Sequence, residues 1–128
     1  MSEHSEDLAF LSLTEVAARI RTGELSPVTY AQCLLDRIGA HDQSFDSFLR
    51  VLSESVLVEA AAAEQAVKAG EPLGPLHGVP FGLKDIIDAA GLPTTAHSQI
   101  LAQQPPKTHD AAVTKRLRAA GGILLGKM

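Results

Sequence analysis

The residue in this sequence best suited to acid–base chemistry is Lys84, set inside Val79-Pro80-Phe81-Gly82-Leu83-Lys84-Asp85-Ile86-Ile87. An ammonium group is out of place in so apolar a segment, because burying it unpaired is costly or strips its proton. Asp85 is the obvious counter-ion. Successive side chains of a strand point to opposite faces, however, so Asp85 can pair with Lys84 only where the strand ends. Two readings are open on this pattern. In one, Lys84 marks the exposed end of the strand and Asp85 starts a turn. In the other, Lys84 is held in a dry site to exchange a proton.

Other residues that could carry chemistry do not converge. Five histidines are present, with His77, His97 and His109 in loop-like stretches. No His-x-x-x-His or Cys-x-x-Cys spacing occurs, so no metal is expected. Cys33, between Ala31 and Leu34 on an amphipathic stretch, reads as a core or boundary residue rather than a nucleophile. Gly121-Gly122-Ile123-Leu124-Leu125-Gly126-Lys127-Met128 approaches a phosphate-binding loop. Met128 stands where a hydroxyl residue would hold magnesium, and the apolar middle reads as a strand, so no nucleotide is expected. Lys115, Arg116 and Arg118 read as the solvated face of a helix. With a net charge of −4, the chain is not expected to grip nucleic acid or an anionic membrane.

The elements that must position Lys84 follow from spacing and punctuation. Ser12-Leu13-Thr14-Glu15 matches a capping box, followed by Leu13, Val16, Ala17 and Ile20 at helical spacing and then Gly23. Ser26-Pro27 predicts a second helix start, with Val28, Ala31, Leu34, Leu35 and Ile38 as its apolar stripe and Gly39 near its end. Phe45, Phe48, Val51 and Leu52 suggest a short extended segment. Ser53 opens a long helix facing inward through Val56, Ala60, Ala63 and Val67, which Gly70 stops. Glycines and prolines alternate over 70–80, a loop with specific backbone demands. Gly78 and Gly82 either allow backbones to approach closely near Lys84 or shape the loop.

Phe81 to Ile87 reads as a buried strand. Gly91-Leu92-Pro93 turns the chain, and Pro105-Pro106 excludes a continuous helix over 94–109. Asp110 is placed to cap a last helix carrying Val113, Leu117 and Ala120, with a strand at 122–126. Alternating helix and strand predicts an α/β fold with some parallel pairing.

At 128 residues with 45% hydrophobic and 20% charged residues, the composition is that of one globular domain. No apolar run approaches the ~18 residues of a membrane span. The acidic stretch Met1 to Asp7 lacks a signal peptide's apolar core, and the single cysteine fits a reducing compartment. A cytoplasmic location is therefore expected. Residues 1–11 read as a flexible lead-in to a domain at 12–128.

Gly74-Pro75-Leu76-His77-Gly78-Val79-Pro80-Phe81-Gly82-Leu83-Lys84-Asp85 resembles the lysine segment of the amidase signature family. Gly91-Leu92-Pro93-Thr94-Thr95 and Asp110 through Lys127 continue the pattern. The resemblance covers most of 12–128 and is specific in the second half. It implies a mixed β-sheet core covered by helices, of which this chain would be the N-terminal part. It also implies an amide hydrolase with a serine–cis-serine–lysine triad and no cofactor, in which Lys84 matches the catalytic lysine. That lysine passes protons through a bridging serine to the nucleophilic serine, because a neutral hydroxyl is a weak nucleophile. A lysine acts as base only when neutral, so its reference pKa of ~10.4 must fall. Phe81, Leu83, Ile86 and Ile87 are placed to desolvate it.

The family's two serines and glycine-rich loop lie beyond Met128. The chain is therefore expected to be inactive alone and to need the rest of the domain, or self-association, to cover the open edges of the strands at 81–87 and 122–126. Ser98 follows Ala96-His97, where many family members carry a small residue at the position of His97. The substrate implied is a small carboxamide. Alternatives are a piece of an A-type amidotransferase chain that passes ammonia to a charged tRNA, a non-catalytic binding module, or a truncated gene product.

Overall fold

The structure, a computed structural model, describes residues 8–128. Of the expected lead-in, residues 1–7 lie outside the described residues, while Leu8 and Leu11 pack against the cluster built on Val16 and Ile20. Helix α1 (Leu13–Arg21) opens with the expected capping box. Ser12 Oγ accepts from the Glu15 N–H, and Glu15 Oε2 accepts from the Ser12 N–H. Val16 and Ile20, one turn apart, are buried.

Helix α2 (Pro27–Phe45) starts at Ser26, whose Oγ accepts from Val28 and Thr29, with Pro27 in the first turn. It runs past Gly39 and ends at Asp46, in the left-handed conformation with φ 51°. The late stop has a local cause. The Asp42 carboxylate accepts from the N–H groups of Ser47 and Phe48 at 3.0 and 3.2 Å. It thereby satisfies donors that the helix has no carbonyl for. Phe45 accordingly ends a helix and is 75% exposed, rather than joining a strand.

Helix α3 (Ser53–Ala69) follows, and Gly70 caps it at φ 69°. Its Val56, Ala60 and Ala63 pack with Ala31 of α2 and with Ile123 and Leu125. Small residues at this face let the two helices and the sheet approach closely.

The sheet has three strands, β1 (Arg50–Val51), β2 (Pro80–Leu83) and β3 (Ile123–Lys127), in the order β1-β3-β2. β1 is antiparallel and β2 parallel to β3, so the sheet is mixed. The connection from β2 to β3 carries helix α4 (Ala112–Ala119), as a parallel crossover requires. β3 is buried at every position because it is central and covered on both sides. Ile123 and Leu125 join the α2–α3 cluster, while Leu124 joins Leu83 and Ala89. A strand buried on both faces reads as a continuous apolar run. The expectation that 122–126 presents an open edge is therefore corrected. Among the described residues, the outer edges belong to β1 and β2.

Two other boundaries differ from expectation. The strand predicted over Phe81–Ile87 ends at Leu83. There the chain turns, closed by the Ile87 N–H donating to the Lys84 carbonyl at 3.0 Å. Asp110 does not cap α4, whose N-cap is Ala111 with no side-chain bond. Asp110 Oδ1 instead accepts from the Ala90 N–H at 2.7 Å, and Oδ2 faces Arg118 Nε at 3.4 Å. The glycine–proline loop zips onto the end of α4. The N–H groups of Leu76 and Gly78 donate to the carbonyls of Ala120 and Gly121, both at 2.9 Å. Gly78, at φ 74°, packs on Ile20 and Pro27 and so shapes the loop, whereas a Cβ on Gly82 would meet Met128.

The α2–α3–sheet contact predicts an asymmetric response to added volume. Ala60→Leu is expected to cost about 1–3 kcal/mol in urea unfolding through overpacking. Ala61→Leu, on the exposed face, should stay within about 0.5 kcal/mol of wild type.

Candidate functional site

The buried lysine is Lys127, not Lys84. Lys127 ends β3 and is 2% exposed. Its Nζ lies 2.9 Å from Asp85 Oδ1, donates to the Ile87 carbonyl at 2.7 Å and faces Thr94 Oγ1 at 3.5 Å. Asp85 is equally enclosed. Its Oδ2 accepts from the Thr95 N–H at 3.0 Å and from the Thr95 hydroxyl. Burial is the largest single influence on this carboxyl and pushes its pKa up. The Thr95 hydroxyl, the Lys127 ammonium and the Thr95 N–H together outweigh burial and hold it below the ordinary aspartate value.

Lys84 stands just past the end of β2 and is exposed. The alternation of side chains along a strand is kept here: Asp85 turns inward to Lys127, and Lys84 turns away from it. No ion pair joins Lys84 to a described carboxylate. It lines a cleft of about 240 Å³ with Leu49, Ile86, Met128, Asp46 and His97 among the walls. The expected desolvating shell is corrected. Phe81, Leu83 and Ile87 belong to the cluster around Leu124. Only Ile86 lines the cleft, and it is 60% exposed. The early end of the strand is the physical reason, since the turn at Lys84 carries the side chain out of the sheet.

The far wall of the cleft is strained. Ala96 and His97 both have left-handed backbones, at φ 46° and 61°, which costs on the order of 1–3 kcal/mol each for residues other than glycine. The Ala96 N–H donates to the Asp85 carbonyl at 2.8 Å, and the His97 N–H donates to Thr95 Oγ1 at 3.2 Å. Ser98 is a structural residue here, its Oγ accepting from the Leu101 N–H at 3.4 Å.

The remaining candidates stay apart. His77 Nε2 lies 2.9 Å from the Ala63 carbonyl, and His109 Nδ1 is 2.8 Å from Thr108 Oγ1. Cys33 is buried in α2. The segment 121–128 forms β3, with its lysine committed to Asp85. Lys115 and Arg116 are exposed on α4. No helix among the described residues is long and apolar enough to cross a membrane.

Residue spacing did not point to Lys127. The available signal was Asp85, a carboxylate on the inward face of a buried strand, which requires a cation from elsewhere in the chain.

Residues 30–128 match the sequence profile of the family described as Amidase. The chain belongs to the amidase family. It is 46% identical to the A-type chain of the glutamyl-tRNA(Gln) amidotransferase of Salinispora arenicola over 94% of its own length and 24% of the relative's. It is 41% identical to an acylamidase of Rhodococcus erythropolis over 95% of this chain and 25% of the relative. Among solved amidase structures, the peptide amidase of Stenotrophomonas maltophilia superimposes with a TM-score of 0.83 at 37% identity, over 93% of this chain and 24% of that one. This amidase chain thus spans about a quarter of the length of the relatives it matches.

The buried pair sets a pH dependence. Because the folded-state carboxyl sits below the unfolded value of about 3.9, the pair's contribution is present above that value. It is lost as pH falls through the lower folded one. Lys127→Met is expected to cost about 3–5 kcal/mol near neutral pH by leaving a buried carboxylate unpaired. In urea unfolding, its deficit against wild type should shrink as acid protonates Asp85.

Proposed function

We propose that Lys84 is the proton carrier of an amidase site, and that residues 12–128 form the N-terminal part of the domain housing it. The single observation that supports this reading is where the amine stands. In a chain of the amidase family, Lys84 sits in a cleft at the end of a parallel strand, without a carboxylate partner among the described residues. The ends of such strands are where open α/β sheets bind ligands. In this reading a small carboxamide occupies the cleft. Lys84, when neutral, takes a proton through one serine from another, which attacks the carboxamide carbon; the proton then returns by the same path to the departing nitrogen, which leaves as ammonia or an amine. The acyl-serine is then hydrolysed or transferred. Both serines and the oxyanion donors come from outside these residues, so the 128 residues alone hydrolyse no amide. The remainder of the domain is the partner the chain needs. The chain works in the cytoplasm and binds no nucleic acid itself.

The test is a graft. Residues 12–128 replace the matched quarter of the Rhodococcus erythropolis acylamidase, and hydrolysis of simple aryl and alkyl amides is followed. The graft is expected to turn over, and Lys84→Ala in it should lower kcat by roughly 10²–10⁴. A graft whose activity is unchanged by Lys84→Ala rules the proposal out, as does Lys84-dependent hydrolysis by 1–128 alone.

A second reading is favoured by the relatives that are A-type chains of a glutamyl-tRNA(Gln) amidotransferase, at 46% identity. There the same chemistry would release ammonia for transfer to a charged tRNA held by partner proteins. Co-purification of such partners with glutamine-dependent amidation would select it over the free-standing amidase.

A further inference from the structure

We infer that the buried Asp85–Lys127 pair is a positioning device for the Lys84 cleft, holding the main chain around Lys84 and the strained Ala96–His97 wall in one arrangement. This rests on the reading of Lys84 as the working amine, and it concerns how that amine is held rather than what it does.

The geometry is carried by Asp85, every polar group of which is engaged. Its N–H donates to the Met128 carbonyl at 2.6 Å, and its carbonyl accepts from the Ala96 N–H at 2.8 Å. One carboxylate oxygen meets the Lys127 ammonium, and the other accepts from the N–H and hydroxyl of Thr95. The Met128 N–H also donates to the Leu83 carbonyl at 2.8 Å. Lys84 is therefore bracketed by two bonds to the same residue of the chain continuing β3. The Lys127 ammonium reaches on to the Ile87 carbonyl and so ties the far end of the turn.

The opposite wall depends on the same carboxylate. The Thr95 hydroxyl that donates to Asp85 also accepts from the His97 N–H. The left-handed backbones of Ala96 and His97 thus persist because Thr95 and Asp85 hold both amides. A buried ion pair adds little stability over apolar side chains of the same volume. What it adds here is direction: three acceptors around one ammonium and four donors around the Asp85 carboxylate and main-chain carbonyl admit few arrangements of the turn and the wall. Asp85 and Lys127 are positioning residues and touch no substrate in this proposal.

The experiment compares 1–128 with the paired variant Asp85→Leu/Lys127→Met, which removes the charges together and leaves neither buried alone. Amide exchange and the Lys84 side-chain resonances are followed by NMR, beside urea unfolding. The expected result is an unfolding midpoint close to wild type, with the Ile123 amide equally protected. The Thr95 and Ala96 amides should exchange at least about tenfold faster by local opening, and the Lys84 side-chain shifts should move toward those of an unstructured lysine. Unchanged Thr95 and Ala96 exchange with unchanged Lys84 shifts would overturn the inference, and so would a uniform acceleration of all amides. Should the paired variant not fold, Thr95→Val, which removes only the bridging hydroxyl, decides the matter by the same Ala96 and Lys84 readings. No readout involves turnover, so the result is independent of whether Lys84 carries protons.

Discussion

An ammonium group inside a protein is tolerable only when its three protons find acceptors and its charge finds an opposite charge. Lys127 meets both conditions with Asp85, the Ile87 carbonyl and Thr94 Oγ1. Asp85 in turn leaves no oxygen without a donor or a counter-charge. The pair joins three segments distant in sequence: the end of β3, the turn after β2, and the stretch at 94–97. Those three segments make the floor and one wall of the cleft that holds Lys84. The polar interior and the open cleft are therefore two faces of one turn, with Asp85 on the inner face and Lys84 on the outer.

The rest of the fold brings β3 to the place where that pair can form. β3 is central, with α2 and α3 against one side and the Leu83–Ala89–Leu124 cluster against the other. The alanines of α3 allow a close approach without large side chains. The register of β2 shifts between Phe81 and Gly82, so that Leu83 lies opposite Lys127. The next residue, Lys84, points outward, and Asp85 after it points inward.

The family relationship gives this arrangement its chemical setting. Relatives at 41–46% identity include an acylamidase and A-type amidotransferase chains, each about four times as long as the matched stretch. In that setting the exposed amine of Lys84, just past the end of β2, is the one proposed to work. The buried lysine is a structural one already satisfied. Dryness around Lys84 is not supplied by Phe81, Leu83 or Ile87, which face the core. It would have to come from whatever covers the cleft.

Local chemistry was legible in the sequence wherever a few neighbouring residues decide the outcome. The capping box at Ser12 and Glu15, the serine–proline start at Ser26, the alanine-rich α3 and its glycine stop need only hydrogen bonds within a turn. The opposed directions of Lys84 and Asp85 follow from strand geometry alone. Where several local outcomes were nearly equal, contacts that periodicity does not show decided. α2 outruns Gly39 because the nearby Asp42 satisfies the amides beyond its end, and the path of the chain after β2 is fixed by a tertiary contact, the Ala96 N–H donating to the Asp85 carbonyl. The identity of the buried cation was decided only by the fold. Nothing within a few residues of Lys127 indicates a carboxylate partner, and the pair forms because parallel strands place chain segments far apart in sequence side by side.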